Sequence, residues 1–205
     1  QICIFAVIFT IVILILSSFM IIPHYIQHTY ITSQSAHNLH FCTFGQGQYK
    51  DGVFKLCSQT QRSQLFTTIT GITDSKMLLN HNEQQFCAQN RRGYGYWMWK
   101  PRLIQKVLQN VPDGDFIFYA DAGCRFGKFN ELGTLCNQLA QSSSILFYAK
   151  QISYSEKTWT KSDLMVSMQI DPKHMETNQF EAGRILCKVT PKSRAIINEW
   201  VQIMN

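Results

Sequence analysis

FIFYADAG, residues 116–123, is the stretch from which the fold can be read. Its first five residues are apolar without alternation, the pattern of a strand covered on both faces, as at the centre of a parallel sheet. Pro112-Asp113-Gly114-Asp115 makes the turn before it. Asp121 stands where the strand should stop, and Ala122 and Gly123 let the backbone turn closely. Working outward, residues 39–44 (LHFCTF) form a first buried strand halted by Gly45-Gln46-Gly47. Helices are expected over 53–68, from a cap at Asp74 through Met77, Leu78 and Leu79 toward Phe86, and over 102–110, where Pro101 suits the first turn. Asn130-Glu131 opens a helix to about 141, and residues 144–149 and 184–189 supply further strands. Thr190-Pro191 is an N-cap followed by proline, launching a helix with Ile196, Ile197, Trp200 and Met204 on its apolar side. Strands alternating with helices predict an α/β fold, a largely parallel sheet flanked by helices.

The chain has 205 residues, 45% hydrophobic and only 16% charged, with a formal net charge of +6. That composition excludes a disordered tail, a collagen-like repeat and a disulfide miniprotein. The charge is very uneven, with no Lys, Arg, Asp or Glu before Lys50. Residues 2–22 (ICIFAVIFTIVILILSSFMII) are polar only at Thr10, Ser17 and Ser18. At 1.5 Å per residue they make a helix of about 30 Å, the thickness of a bilayer core. A cleaved signal peptide would have a shorter apolar region with a small-residue site close behind. Residues 2–22 therefore read as a retained transmembrane signal-anchor, residues 23–38 as a polar stalk and 39–205 as the globular domain. The expected arrangement is single-pass, with the domain outside the cytosol. The chain begins at Gln1, so a basic cytoplasmic stub is expected to be missing.

Six cysteines follow the anchor (Cys42, Cys57, Cys87, Cys124, Cys136, Cys187), with no zinc spacing. Their even number permits disulfides, and their dispersion equally suits small buried apolar residues. There is no Asn-x-Ser/Thr sequon. The basic residues are too dispersed for a nucleic-acid partner, but they suit a pyrophosphate or an anionic surface.

Three constellations carry chemistry. Asp121 ends a strand where open α/β sheets bind ligands, and a carboxylate there suits Mn²⁺ or Mg²⁺ bridging phosphate oxygens. It equally suits a loop cap. Arg91-Arg92-Gly93-Tyr94-Gly95-Tyr96-Trp97-Met98-Trp99-Lys100-Pro101 gathers three cations, four aromatics and two glycines ahead of a helix. Helix N–H groups with Lys100 and the arginines can hold a diphosphate, and the aromatics can stack on a base or sugar. A core aromatic cluster would account for Trp97 and Trp99 but not for the glycine alternation. Gln179-Phe180-Glu181-Ala182-Gly183-Arg184 sets an acid beside two small residues, though Glu181 equally suits a solvated turn. Trp159-Thr160-Lys161-Ser162-Asp163 reads equally as a helix opening.

GYGYWMWKP (93–101), followed about a dozen residues later by GDFIFYADAGC (114–124), resembles small GT-A-type glycosyltransferases of the nucleotide-diphospho-sugar transferase superfamily. The likeness extends from FCTFG (41–45) through WTKSDL (159–164) and QFEAG (179–183) to INEW (197–200). It implies a GT-A, Rossmann-like domain and transfer of a sugar, hexosyltransferase-like, from a nucleotide sugar to a glycan, lipid or protein acceptor. It also implies the anchored layout of Golgi or ER enzymes with a luminal catalytic domain. Thr43, Gly45 and Arg62 would then lie near the nucleotide, with Arg92, Gly93, Tyr94, Gly95, Trp97 and Lys100 completing the donor site. Asp121 would be the first acid of a metal-binding D-x-D motif, and Glu181 an acceptor contact or base. The sequence departs from the family in having Gly123 where the second acid belongs, and it ends at Asn205, before a segment that family members continue into. A fragment lacking its last catalytic piece is therefore expected. The alternative is an inactive binding module of the same fold, tethered to a membrane.

Overall fold

The computed structural model describes residues 25–29, 37–127, 129–141 and 148–204. Residues 2–22 lie outside them, and with them the signal-anchor expectation. Among the described residues no helix is long and apolar enough to cross a membrane.

The strands are β1 (Tyr25–Thr29), β2 (Leu39–Phe44), β3 (Thr68–Ile72), β4 (Phe116–Ala120), β5 (Tyr148–Ser155) and β6 (Asn178–Lys188). The longer helices are α1 (Lys50–Ser63), α2 (His81–Gln89), α3 (Trp99–Leu108), α4 (Asn130–Gln141) and α5 (Pro191–Ile203). One sheet runs in the order β1-β3-β2-β4-β6-β5. β2 is parallel to β3 and β4, whereas β1 is antiparallel to β3, and β6 is antiparallel to both β4 and β5. The sheet is thus mixed, which corrects the expectation of a largely parallel one. A continuous apolar run such as FIFYA reports that both faces are covered, and it carries no information on which way a neighbour runs.

Both faces are indeed covered, giving three layers. Along β4 the side chains alternate. Ile117 and Tyr119 join Leu103, Ile104 and Val107 of α3 and Ile197 of α5. Phe116, Phe118 and Ala120 join Val53 and Leu56 of α1 and Leu132 and Leu139 of α4. At the lower edge of β4, buried Asp115 accepts from the Asn38 backbone N–H (2.9 Å) and sits 3.2 Å from His40 Nε2, tying the starts of β2 and β4 together.

Several boundaries differ from the sequence expectation. The helix expected over 53–68 spans Lys50–Ser63, because Gln64 turns left-handed at its end, and Thr68–Ile72 is a strand. Asp74 caps only a short 3₁₀ turn, and α2 starts later, at a capping box of Asn80 with Glu83. The expected strand 184–189 begins earlier, at Asn178, so Glu181, Ala182 and Gly183 lie within β6. The expected strand 144–149 lies partly outside the described residues, and β5 continues it to Ser155. Within the expected stalk, Tyr25–Thr29 pairs with β3 as the edge strand, so that stretch is more than a tether. Residues 159–163 do open a short helix, Ser162–Ser167. The six cysteines from Cys42 to Cys187 are free, and all but Cys124 are buried.

Candidate functional site

β2 is the strand on either side of which the chain places its next two strands. After β2 it passes through α1 to β3 on one side, and from β3 it returns past β2 through α3 to β4 on the other, with α1 and α3 on opposite faces of the sheet. The crevice between the carboxyl ends of β2 and β4 is therefore a topological switch point, where open α/β sheets bind ligands. Two adjoining clefts of about 900 and 670 Å³ open there and share Gln48, Tyr49, Ala122 and Gly123. The larger runs along α1 past Lys55, Arg62 and Arg125. The smaller is walled by Gly45, Arg91, Gly93, Tyr94, Trp97 and Asp121. Gly45 is needed at the junction, since a Cβ on it would stand 2.9 Å from the Ala122 Cβ.

The wall built by residues 93–97 has an unusual backbone. Gly93, Tyr94, Gly95, Tyr96 and Trp97 all have positive φ, between 51° and 75°. A left-handed conformation costs about 1–2 kcal/mol for each residue that carries a Cβ, so three non-glycine residues in it are held there by their surroundings. The holding contacts are on both sides. Gly95 N–H donates to Asn90 O (2.7 Å), and Trp99 Nε1–H donates to Gly93 O (3.1 Å). Tyr94 Oη is hydrogen-bonded to Ser75 Oγ (3.0 Å), and Trp97 is folded over Gly93, where a Cβ would meet its ring at 2.4 Å. The turn leaves Trp97 42% exposed on the cleft wall.

Asp121 lies just past β4 at the floor of the smaller cleft. Its Oδ1 accepts from the Tyr119 hydroxyl and stands 3.1 Å from Lys100 Nζ. Burial, and then the adjacent Asp121 charge, push the Tyr119 phenol well above its ordinary range, so it remains a donor. Lys100 comes from the first turn of α3, is itself buried, and also donates to Ala182 O of β6 (2.9 Å). Its ammonium lies over the rings of Tyr119 (5.1 Å) and Trp99 (5.8 Å). The other Asp121 oxygen faces Gly183. A Cβ built there would be 3.3 Å from Asp121 Oδ2 and 2.9 Å from Glu181 Oε1, so the two carboxylates flank one glycine. Glu181 is half-exposed and 3.5 Å from Arg184.

This donor set does not suit a divalent metal. One Asp121 oxygen is taken by an ammonium and a hydroxyl, Gly123 offers no side chain, and among the described residues no three His, Cys, Asp or Glu come together.

No family model, curated protein or solved structure matches the chain.

The structure gathers Gly45, Gly93, Tyr94, Trp97 and Asp121 on one cleft, with Arg62 on the next and Glu181 beside Asp121. Four of the assigned residues line neither cleft. Lys100 does not line the cleft but holds Asp121 from behind. Arg91 rather than Arg92 lines it, because the left-handed turn starts between Arg92 and the aromatics and redirects the chain. Gly95 packs against Cys87 and lines neither cleft. Thr43 is wholly buried, with a hydroxyl that has no partner among the described residues, and reaches neither cleft. Tyr119, Tyr49, Lys55 and Arg125 were missed. Tyr119 is masked by its apolar run, although a tyrosine two residues before a strand-end acid shares that acid's side of the strand.

Proposed function

We propose that this chain is a membrane-anchored glycosyltransferase of GT-A type, moving a sugar from a nucleotide-diphosphate sugar to a hydroxyl on a glycan, lipid or protein. The observation that carries this reading is the pair of carboxylates flanking Gly183, Asp121 on the floor of a switch-point groove and Glu181 beside it. Carboxylate oxygens accept hydrogen bonds from sugar hydroxyls, and the exposed face of Trp97 offers a platform for sugar C–H bonds or a base. Arg91 on one cleft and Lys55, Arg62 and Arg125 on the other supply positive charge for a diphosphate.

In the reaction, the acceptor oxygen bonds to the anomeric carbon while the bond from that carbon to the diphosphate oxygen breaks. Glu181 takes the acceptor's proton, and the nucleoside diphosphate leaves with the bonding electrons. Positioning and the cleft cations supply the rate enhancement.

A second reading, a tethered module that binds a nucleotide sugar without turnover, is favoured by the neutralised Asp121 and by Gly123. A panel of nucleotide sugars separates the two, with nucleoside diphosphate release and thermal stabilisation both measured. Release from one donor, abolished in Glu181→Gln at unchanged Tm, supports the transferase. Stabilisation without release supports the module. Neither signal with any donor refutes both.

A further inference from the structure

A strand-end aspartate in a phosphate-binding crevice ordinarily recruits a divalent cation. Here a cation of the protein's own stands at that carboxylate. We propose that Lys100 occupies the electrostatic place of a divalent metal, so that the groove binds its nucleotide sugar without Mn²⁺ or Mg²⁺; this rests on the transferase reading above.

Four observations carry it. The ammonium is buried and cross-links the layers, 3.1 Å from Asp121 Oδ1 and 2.9 Å from Ala182 O, so it is fixed rather than a mobile surface charge. The Tyr119 hydroxyl donates to the same oxygen, so Oδ1 already has two partners. A divalent ion reaching Oδ2 would sit close to the ammonium, and residue 123, a glycine, offers no acid to offset the repulsion. The neighbouring carboxylate, Glu181, has a cation of its own in Arg184 at 3.5 Å.

Asp121 is thus neutralised before ligand arrives, and its Oδ2 serves as an acceptor for a sugar hydroxyl instead of a metal ligand. The diphosphate charge falls to Arg91 and to the cations of the adjoining cleft. Among the described residues Lys55, Arg62 and Arg125 form no ion pair. Lys100 acts through Asp121 and is a positioning residue.

The test uses Mn²⁺ alone and then nucleoside diphosphates. The electron paramagnetic resonance signal of free Mn²⁺ is titrated with the purified protein, and the affinities of UDP, GDP, ADP and CDP are measured by calorimetry in EDTA and in Mn²⁺. The wild-type protein should leave the free Mn²⁺ signal intact, and the diphosphate that binds should do so with a Kd equal within about twofold in the two conditions. Lys100→Met, checked for a native circular dichroism spectrum, should gain Mn²⁺ binding, because the Asp121 carboxylate then loses its built-in cation. Attenuation of the Mn²⁺ signal by wild-type protein, or a tenfold or larger gain in diphosphate affinity with Mn²⁺, overturns the proposal and leaves the transferase reading standing. If no diphosphate binds in either condition, the transferase reading fails, and the wild-type Mn²⁺ titration alone decides the role of Lys100. Should Lys100→Met not fold, the two wild-type measurements suffice.

Discussion

Replacing Gly95 by alanine tests whether the left-handed turn is held against α2 as described. Gly95 has φ +75°, and a Cβ there would lie 2.3 Å from Cys87 Sγ and 3.2 Å from the Cys87 Cα and Cβ. The backbone contributes about 1–2 kcal/mol, the usual cost of a side chain in the left-handed region. The steric part adds about 1–3 kcal/mol, typical of overpacking, since carbon and sulfur want some 3.5–4 Å. A loss of about 2–5 kcal/mol should follow, a large share of the roughly 5–15 kcal/mol that keeps a domain folded. Urea titration followed by tryptophan fluorescence measures it. Adding Cys87→Ala to Gly95→Ala removes the sulfur and should recover about 1–2 kcal/mol, leaving the backbone part untouched. A loss below about 0.5 kcal/mol, or no recovery in the double variant, would refute the reasoning. The turn would then not be pinned to α2, and its hold on the Trp97 wall would have to come from elsewhere.

Thr43→Val replaces a buried, unpartnered hydroxyl with a methyl group of the same shape, and stability should rise by about 1 kcal/mol with ligand affinity unchanged. Lost affinity would return Thr43 to the site. Burial lowers the His40 imidazole below its ordinary 6.5, outweighing the Asp115 carboxylate that favours the charged ring. The unfolded chain therefore takes up a proton that the native state refuses. Stability is complete above the unfolded value and falls as pH drops through 6.5, by at most about 1.4 kcal/mol per pH unit. Thermal melts from about pH 7 to pH 5 should show this decline, flattened in His40→Gln, and an unchanged slope in that variant would count against it. Burial pushes the thiol of Cys57 up to about 12 and those of Cys87, Cys136 and Cys187 to about 11. Native protein treated with iodoacetamide near pH 8 should then be alkylated first at half-exposed Cys124 among the six cysteines from Cys42 onward; equal labelling of Cys57 by mass spectrometry would contradict the packing.

Much of this architecture was legible because it rests on local patterns. FIFYA is a central strand with Asp121 at its end, LHFCTF is a strand before a glycine turn, and Thr190-Pro191 opens α5 through a capping box. Apolar runs report burial, and caps report where a helix can begin, whatever the rest of the chain does. Strand β3 was lost because TITGI is short and follows a helix whose end depends on a left-handed Gln64 rather than on a glycine. The capping signal at Asp74 was genuine, but it closes a 3₁₀ turn, a distinction no single residue type makes.

The sequence by itself determined an α/β domain with a strand-end acid beside a glycine-aromatic segment, since propensity, capping and burial act over neighbouring residues. Only the tertiary structure decided that the sheet is mixed and that Arg91 rather than Arg92 faces the cleft. It also decided that Lys100 is spent on Asp121 and Ala182, 21 and 82 positions away. Those outcomes depend on which strand lies beside which and on how a left-handed turn aims the chain. A buried ammonium takes whichever carboxylate and carbonyl the folded layers bring within about 3 Å, and sequence spacing alone does not encode that distance.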